Sequence, residues 1–232
     1  MIAVIGSPIG RRDGGAVVAA GLSAAVARSA VLAGASVQVV GKVGEGPAGD
    51  AILLSVAAVG VGHVAVLRDL APSPVVDDTP ETEPERPIDE VAHRAAFGAD
   101  PADADAVAAP AQPAPTPTGP SLDAADLQLA LQYLPDYRVV VIAQRLDEPA
   151  FRAVVEAATW SGARLIVVAW DGAGAAVPLP DDATVLEAPT EDAEGAFASL
   201  VGRYAAALDG GATPAEAFAA ASADVGWSAV AD

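Results

Sequence analysis

The chain has 232 residues, enough for one α/β domain with a sizeable core or at most two small ones. Its net charge of −19 excludes nucleic acid and anionic membrane surfaces as partners, because both require a basic footprint. There is no cysteine, which excludes disulfides, zinc–thiolate sites and thiol nucleophiles, and aromatics are only 4% of an alanine-dominated apolar content, so the core is expected from close packing of helices on a sheet.

Ile2 to Ile5 is a short apolar run ending in Gly6 and Ser7, as a buried parallel strand would, with no basic region ahead of it to make a signal peptide. Arg11, Arg12, Asp13, Gly14 and Gly15 then precede a helical pattern from about Ala16 to Ala33. Ser36 to Val40 reads as a second strand and leads into GKVGEGPAGDAI, Gly41 to Ile52, a glycine turn with a helix starting near Pro47. The helix continues through Ala51 to Val59, and His63 to Leu67 gives a third strand. The most apolar window, Ala51 to Leu67, is broken by Gly60, Gly62 and His63 and is too short to span a bilayer, so a cytoplasmic, soluble protein is expected.

From about Asp69 to Pro120 the composition changes, with most of the 19 prolines and a dense run of carboxylates from Asp77 to Glu90. Fixed extended geometry and charge repulsion predict an insertion outside the core, with one or two helical turns around Ile88 to Phe97, acting as a solvated loop or a strap around a partner. Order is expected again from Ser121, a cap for the amphipathic stretch LDAADLQLALQYL, followed by a strand at Arg138 to Ala143, a helix at Glu148 to Ser161, and strands at Arg164 to Ala169 and Thr184 to Leu186. Thr190 is the expected N-cap of a long helix with Glu191, Asp192 and Glu194 in its first turn and Phe197, Leu200, Val201, Tyr204 and Leu208 facing inward. Thr213, Pro214 and Glu216 form a capping box for the last helix, to about Ala223. Alternating strands and helices imply a mostly parallel sheet covered on both faces.

The string PTEDAEGAF, Pro189 to Phe197, with GGATPAEAF after the next helix, resembles the signature DTTGAGDAF of the ribokinase or PfkB-type carbohydrate kinases. The segment Gly41 to Ile52 is similar to the family's VGxVGxDxxG, with Gly41, Val43, Gly44, Glu45, Gly49 and Asp50 in place, and Trp170 to Val177 resembles its TLGxxGA turn, with Gly174 and Ala175 retained. The resemblance implies a single ribokinase-like α/β domain over residues 1–232, with the β lid reduced or absent and without the middle block that carries the family's metal-linked NxxE motif. It places substrate contacts at Asp13, Gly14, Gly15 and Gly44 and nucleotide contacts at Gly174 and Thr190; the family's sugar-binding Asn falls on Ala25, and its Asp near the end of the first strand has no counterpart.

In that family the Gly-Ala-Gly amides form an anion hole for the transferred phosphate, and the final Asp deprotonates the sugar hydroxyl. Here the two glycines fall on Asp192 and Glu194 and the Asp falls on Gly195. A helix N-terminus attracts an anion by about 0.3–1 kcal/mol, up to about 2 when partly buried. A carboxylate about 4 Å from a phosphate oxygen repels it by about 4 kcal/mol at an effective dielectric near 20. Phosphate is therefore expected to be excluded unless a divalent cation intervenes, and Gly195 supplies no general base. The acidic cluster reads either as helix capping or as a metal site that would need further oxygen ligands such as Asp171. Lys42, the only lysine, reads as a solvated strand-end charge, and His63 as structural.

These readings combine into a non-catalytic, pseudokinase-type protein that acts in binding or assembly, with no metal or cofactor. The alternative is a divergent sugar or nucleoside kinase that uses ATP with Mg²⁺ and Asp192 or Glu194 as base. Loss of the lid would uncover apolar sheet surface, which predicts a homodimer or a dedicated protein partner.

Overall fold

A computed structural model describes residues 1–77, 119–134, 136–170, 177–190, 192 and 194–225. In chain order the elements are β1 (Ile2–Ile5), β2 (Ile9–Asp13), β3 (Ala16–Ala20), α1 (Leu22–Leu32), β4 (Val37–Gly44), α2 (Pro47–Ala58), β5 (Gly62–Asp69) and β6 (Val75–Asp77). After residues 78–118 come α3 (Ala124–Gln132), β7 (Val139–Ile142), α4 (Glu148–Ser161), β8 (Arg164–Ala169), β9 (Thr184–Glu187), α5 (Ala196–Asp209) and α6 (Pro214–Val225).

Six strands pair in parallel in the order β5-β4-β1-β7-β8-β9. All four residues of β1 and of β7 are buried, as expected of central strands covered on both faces. The pleat divides them between two cores. Ile2 and Val4 face α1, α2, α5 and α6, while Ala3 and Ile5 face α3 and α4. The chain builds outward from β1 in one direction and then in the other, so its topological switch point lies between β1 and β7. Just beyond the carboxyl end of β1, the amide of Ser7 donates to Gln144 Oε1 (2.7 Å) and the Ser7 hydroxyl accepts from the amide of Lys42 (3.0 Å).

The second sheet corrects the sequence reading. Ala16 to Ala20, expected as the start of a helix, forms β3, which pairs antiparallel with β2; β6 joins β2 in parallel. Gly14 and Gly15, at φ 55° and 89°, make the two-residue hairpin turn, and Gly21 at φ 84° ends β3 before α1 begins. Among the described residues the β lid is thus present in reduced form, as three short strands. The alanine-rich composition of residues 16–33 hid the break at Gly21.

The acidic insertion also begins later than its composition suggests. Residues through Asp77 are ordered into β5, a turn and β6, and a side chain at Gly119 would run into the Pro74 ring, so the chain returns close to where it left. The rest of that segment, including Ile88 to Phe97, lies outside the described residues. Beyond it, Asp123 and not Ser121 caps α3, exchanging hydrogen bonds with Asp126 in a capping box. Thr213 and Glu216 form the expected box at α6.

Lys42, expected in solvent, is largely buried: its Nζ lies 2.6 Å from Asp126 of α3 and 3.7 Å from Asp69 of β5. The hydrogen bond to Asp126 outweighs the cost of burial and holds the Lys42 ammonium above its usual pKa. One lysine therefore ties α3 to the ends of two strands. No helix among the described residues is long and apolar enough to cross a membrane.

Helix α5 runs antiparallel to β1, which places its two ends at opposite edges of the sheet. At its last turn, Asp209 accepts hydrogen bonds from the Met1 amine (2.8 Å) and from Arg138 Nε (3.0 Å). In its middle, Gly202 lets α1 approach: a Cβ there would lie 2.6 Å from both Ser29 Cβ and Val26 O. Replacing Gly202 by Ala gains helix propensity, at most about 1 kcal/mol, but forces two backbones apart. Gly202→Ala is expected to lose about 1–2 kcal/mol net in urea unfolding; an unchanged midpoint would show that α1 and α5 separate freely.

Asp209 also sets a pH dependence. Burial alone would raise its pKa, but the bonds from Met1 and Arg138 prevail and hold it below the usual carboxylate value. Such a group stabilises the fold above its unfolded pKa of about 3.9, and that stability is lost as pH falls through the lower folded value. Asp209→Asn should be less stable than wild type by about 1–3 kcal/mol near neutrality. Calorimetry should show the gap closing below about pH 3.9.

Candidate functional site

With α5 antiparallel to β1, the N-terminus of α5 faces the carboxyl edge of the sheet, where open α/β folds place their ligands. The sequence expects Thr190 to cap it. The structure corrects this: Thr190 is exposed and α5 begins only at Ala196. Gly195 precedes it in the left-handed region at φ 69°, with no side chain to cap. The cap comes from further back. Asp192 turns its carboxylate inward, so that Oδ1 accepts from the amide of Phe197 and Oδ2 from the amide of Ala198, both at 3.0 Å.

This changes the electrostatic expectation. A carboxylate held against two helix amides uses the donors an incoming anion would need and carries its own charge to the same place. Glu194 is exposed beside it. Asp192 thus takes up the amides of Phe197 and Ala198 in addition to placing a negative charge at the start of α5.

In front of the helix lies a cavity of about 460 Å³, bounded by β3, α1 and α2. Its wall includes Arg11, Gly21, Ala25, Ser55, Asp192 and Gly195. Ser55 is held in place by accepting the amide of Ala19. Ala25, at the position where the resembling kinases carry their sugar-binding Asn, offers no polar atom. Arg28 lies further along the same groove.

The other residues singled out from sequence lie apart. Asp13, Gly14 and Gly15 form the tip of the β2–β3 hairpin, where a Cβ on either glycine would meet nothing within 4 Å. Gly44 is packed under the turn at residues 71–73: its amide donates to Ser73 Oγ (2.8 Å), and a Cβ would lie 2.4 Å from the Ser73 amide. A Cβ on Gly49 would lie 1.9 Å from Gly44 O, so the glycines of this segment are required for close backbone contact. Gly174, Asp171 and Glu191 lie outside the described residues. Among the described residues no group of three or more His, Asp or Glu is placed to hold a metal ion.

Sequence reading missed Arg11. A helix at Ala16 to Ala20 would leave β2 without its antiparallel partner; its pairing with β3 produces the alternation that sends Arg12 outward to Asp77 (2.8 Å) and puts Arg11 at the cavity wall.

The parallel six-stranded sheet with a small second sheet beside the N-terminus of a late helix places the chain in a recognisable class of α/β folds. Within that class the chain has the ribokinase-like, PfkB-type carbohydrate kinase fold. It superposes on an Escherichia coli protein assigned as ribokinase II with a TM-score of 0.60 at 12% identity, over 97% of this chain and 91% of that one. The same protein in complex with ATP and Mg²⁺ gives 0.59 at 13% identity over the same shares. A Staphylococcus aureus protein assigned as a phosphofructokinase gives 0.58 at 13%, over 97% of this chain and 90% of that one. No protein-family model matches the chain, and no curated protein matches it in sequence.

Removing the inward carboxylate should be felt locally. Asp192→Ala is expected to cost about 1–2 kcal/mol in urea unfolding, and Glu194→Ala less than about 0.5 kcal/mol. Sulfate should then raise the Tm of Asp192→Ala more than that of wild type, because the two freed amides become available to an external anion.

Proposed function

We propose that this chain is a non-catalytic protein of ribokinase-like fold, a pseudokinase that works by binding, through contacts with a protein partner. The observation that carries this reading is the Asp192 carboxylate seated on the amides of Phe197 and Ala198. In the kinases it resembles, the transferred phosphate is held by the amides that fall on residues 192–194, just ahead of these two; here a carboxylate stands at that place and is fixed to the start of the helix. Gly195 stands where those kinases carry the proton acceptor, and it has no side chain to take a proton from a hydroxyl.

The structural neighbour bound to ATP and Mg²⁺ sets the comparison. For this chain to use the same chemistry, Asp192 would have to leave the helix and another group would have to act as base. The three-stranded lid also withdraws the argument for a homodimer from uncovered sheet surface, and a partner of different sequence becomes the better expectation.

Isothermal titration with MgATP is expected to show no heat at millimolar nucleotide, and a coupled assay over a panel of sugars and nucleosides no turnover. Asp192→Ala should gain weak binding of inorganic phosphate without gaining turnover. MgATP binding by the wild type that is abolished in Asp192→Ala would overturn the reading and identify Asp192 as part of a working kinase site.

A further inference from the structure

On the face of the sheet away from the cavity, α3 and α4 pack side by side and leave a groove of about 660 Å³. Its floor is apolar, with Leu131, Leu134 and Ala153 almost wholly buried. Small residues make it deep, because Ala153 and Ala157 stand one turn apart on α4 and neither fills the space toward α3. From Ala153 to Trp160 the groove follows α4 for about 10 Å, the length of two helical turns.

Trp160 forms one wall and is 94% exposed, the most exposed of the large apolar side chains described. Leu129 on α3 is 46% exposed, and Tyr133, which follows its last residue, 69%. Tryptophan and tyrosine are the residues most enriched at energetic centres of interfaces, and a tryptophan left almost entirely in water has no packing role among the described residues.

The rim is acidic. Asp136 and Glu156 line the groove, and its continuation past Gln128 adds Glu148, whose carboxylate binds Arg152. The lining thus carries three carboxylates and one guanidinium, on a chain with 31 acidic and 12 basic side chains overall. A second copy would bring the same sign of charge to this rim. An apolar floor two turns long between two helices, with a negative rim, fits a helix that has an apolar stripe and a basic opposite face.

We propose that the α3–α4 groove is a docking site for a basic amphipathic helix of a partner protein, with Trp160 as its anchor; this rests on the binding role inferred above and names the surface that serves it. The groove and the cavity before α5 lie on opposite faces of the sheet. Trp160→Ala should therefore leave the MgATP titration unchanged, and the two proposals can fail separately.

The test uses the full chain and two synthetic helical peptides of about eighteen residues with the same leucine stripe, one with lysine and one with glutamate on its polar face. In about 150 mM salt, the lysine peptide is expected to bind saturably and shift tryptophan emission to the blue, and Trp160→Phe should abolish the shift. Trp160→Ala should weaken binding about thirtyfold, the level of a hot-spot residue, and Glu156→Lys at least about tenfold. Leu32→Ala, at a side chain 81% exposed on α1, should change nothing. Trp160 is almost wholly in water, so these variants fold, as circular dichroism would confirm. Equal affinity of wild type and Trp160→Ala for the lysine peptide would reduce the attraction to diffuse charge and overturn the proposal. Absence of binding at about 100 μM, or equal binding of the glutamate peptide, would do the same.

Discussion

The arrangement of the whole molecule depends on how closely α1 and α5 approach, and Gly202 sets that distance. With no Cβ at this position, α5 lies against the backbone of α1 at Val26 and Ala30 and against Ser29, whose hydroxyl donates to Ser199 O. Helices that touch at backbone level have little freedom to rotate or slide, since displacement in either direction drives side chains into main chain. The axis of α5 is therefore fixed along the sheet, with Asp209 anchored beside Arg138 at one edge and the Asp192 cap at the other. Everything in front of that cap inherits its position from a single glycine.

That rigidity gives the inward carboxylate its meaning. A helix N-terminus offers several unsatisfied amides, and proteins satisfy them with a side chain, with water or with a ligand. Here Gly195, in the left-handed region, reverses the chain so that Asp192 reaches back over the turn to the second and third amides of α5. The same two hydrogen bonds that make this N-cap also leave the second and third amides of α5 without a free donor for an external anion.

Much of the fold was legible in the sequence because strand and helix periodicities differ and the buried strands are short apolar runs. Glu148–Ser161 and Arg164–Ala169 match their expected bounds, and Thr213 with Glu216 caps α6 as read. Residues 16–33 misled because alanine is compatible with both periods, so only the hairpin glycines and Gly21 marked the boundaries. The motif glycines Gly41, Gly44 and Gly49 were recognisable, but sequence could not tell a ligand contact from a backbone contact; each is in fact opposed by main-chain atoms. At the site itself, residue types predicted which groups were missing. They could not predict the direction in which Asp192 points, because that depends on a positive φ at Gly195 and on where α5 begins.

The approach of Gly119 to Pro74 has a consequence for how such a chain can change over time. Gly119, the first described residue after Asp77, lies against Pro74, three residues before Asp77. Closing a loop whose ends already meet depends only weakly on its length, with each doubling worth about 0.6 kcal/mol. This junction can therefore take up or shed whole segments while the sheet, α1 and α5 stay as they are. It is the natural port at which a lineage, or a protein engineer, could graft a new module onto an unaltered scaffold.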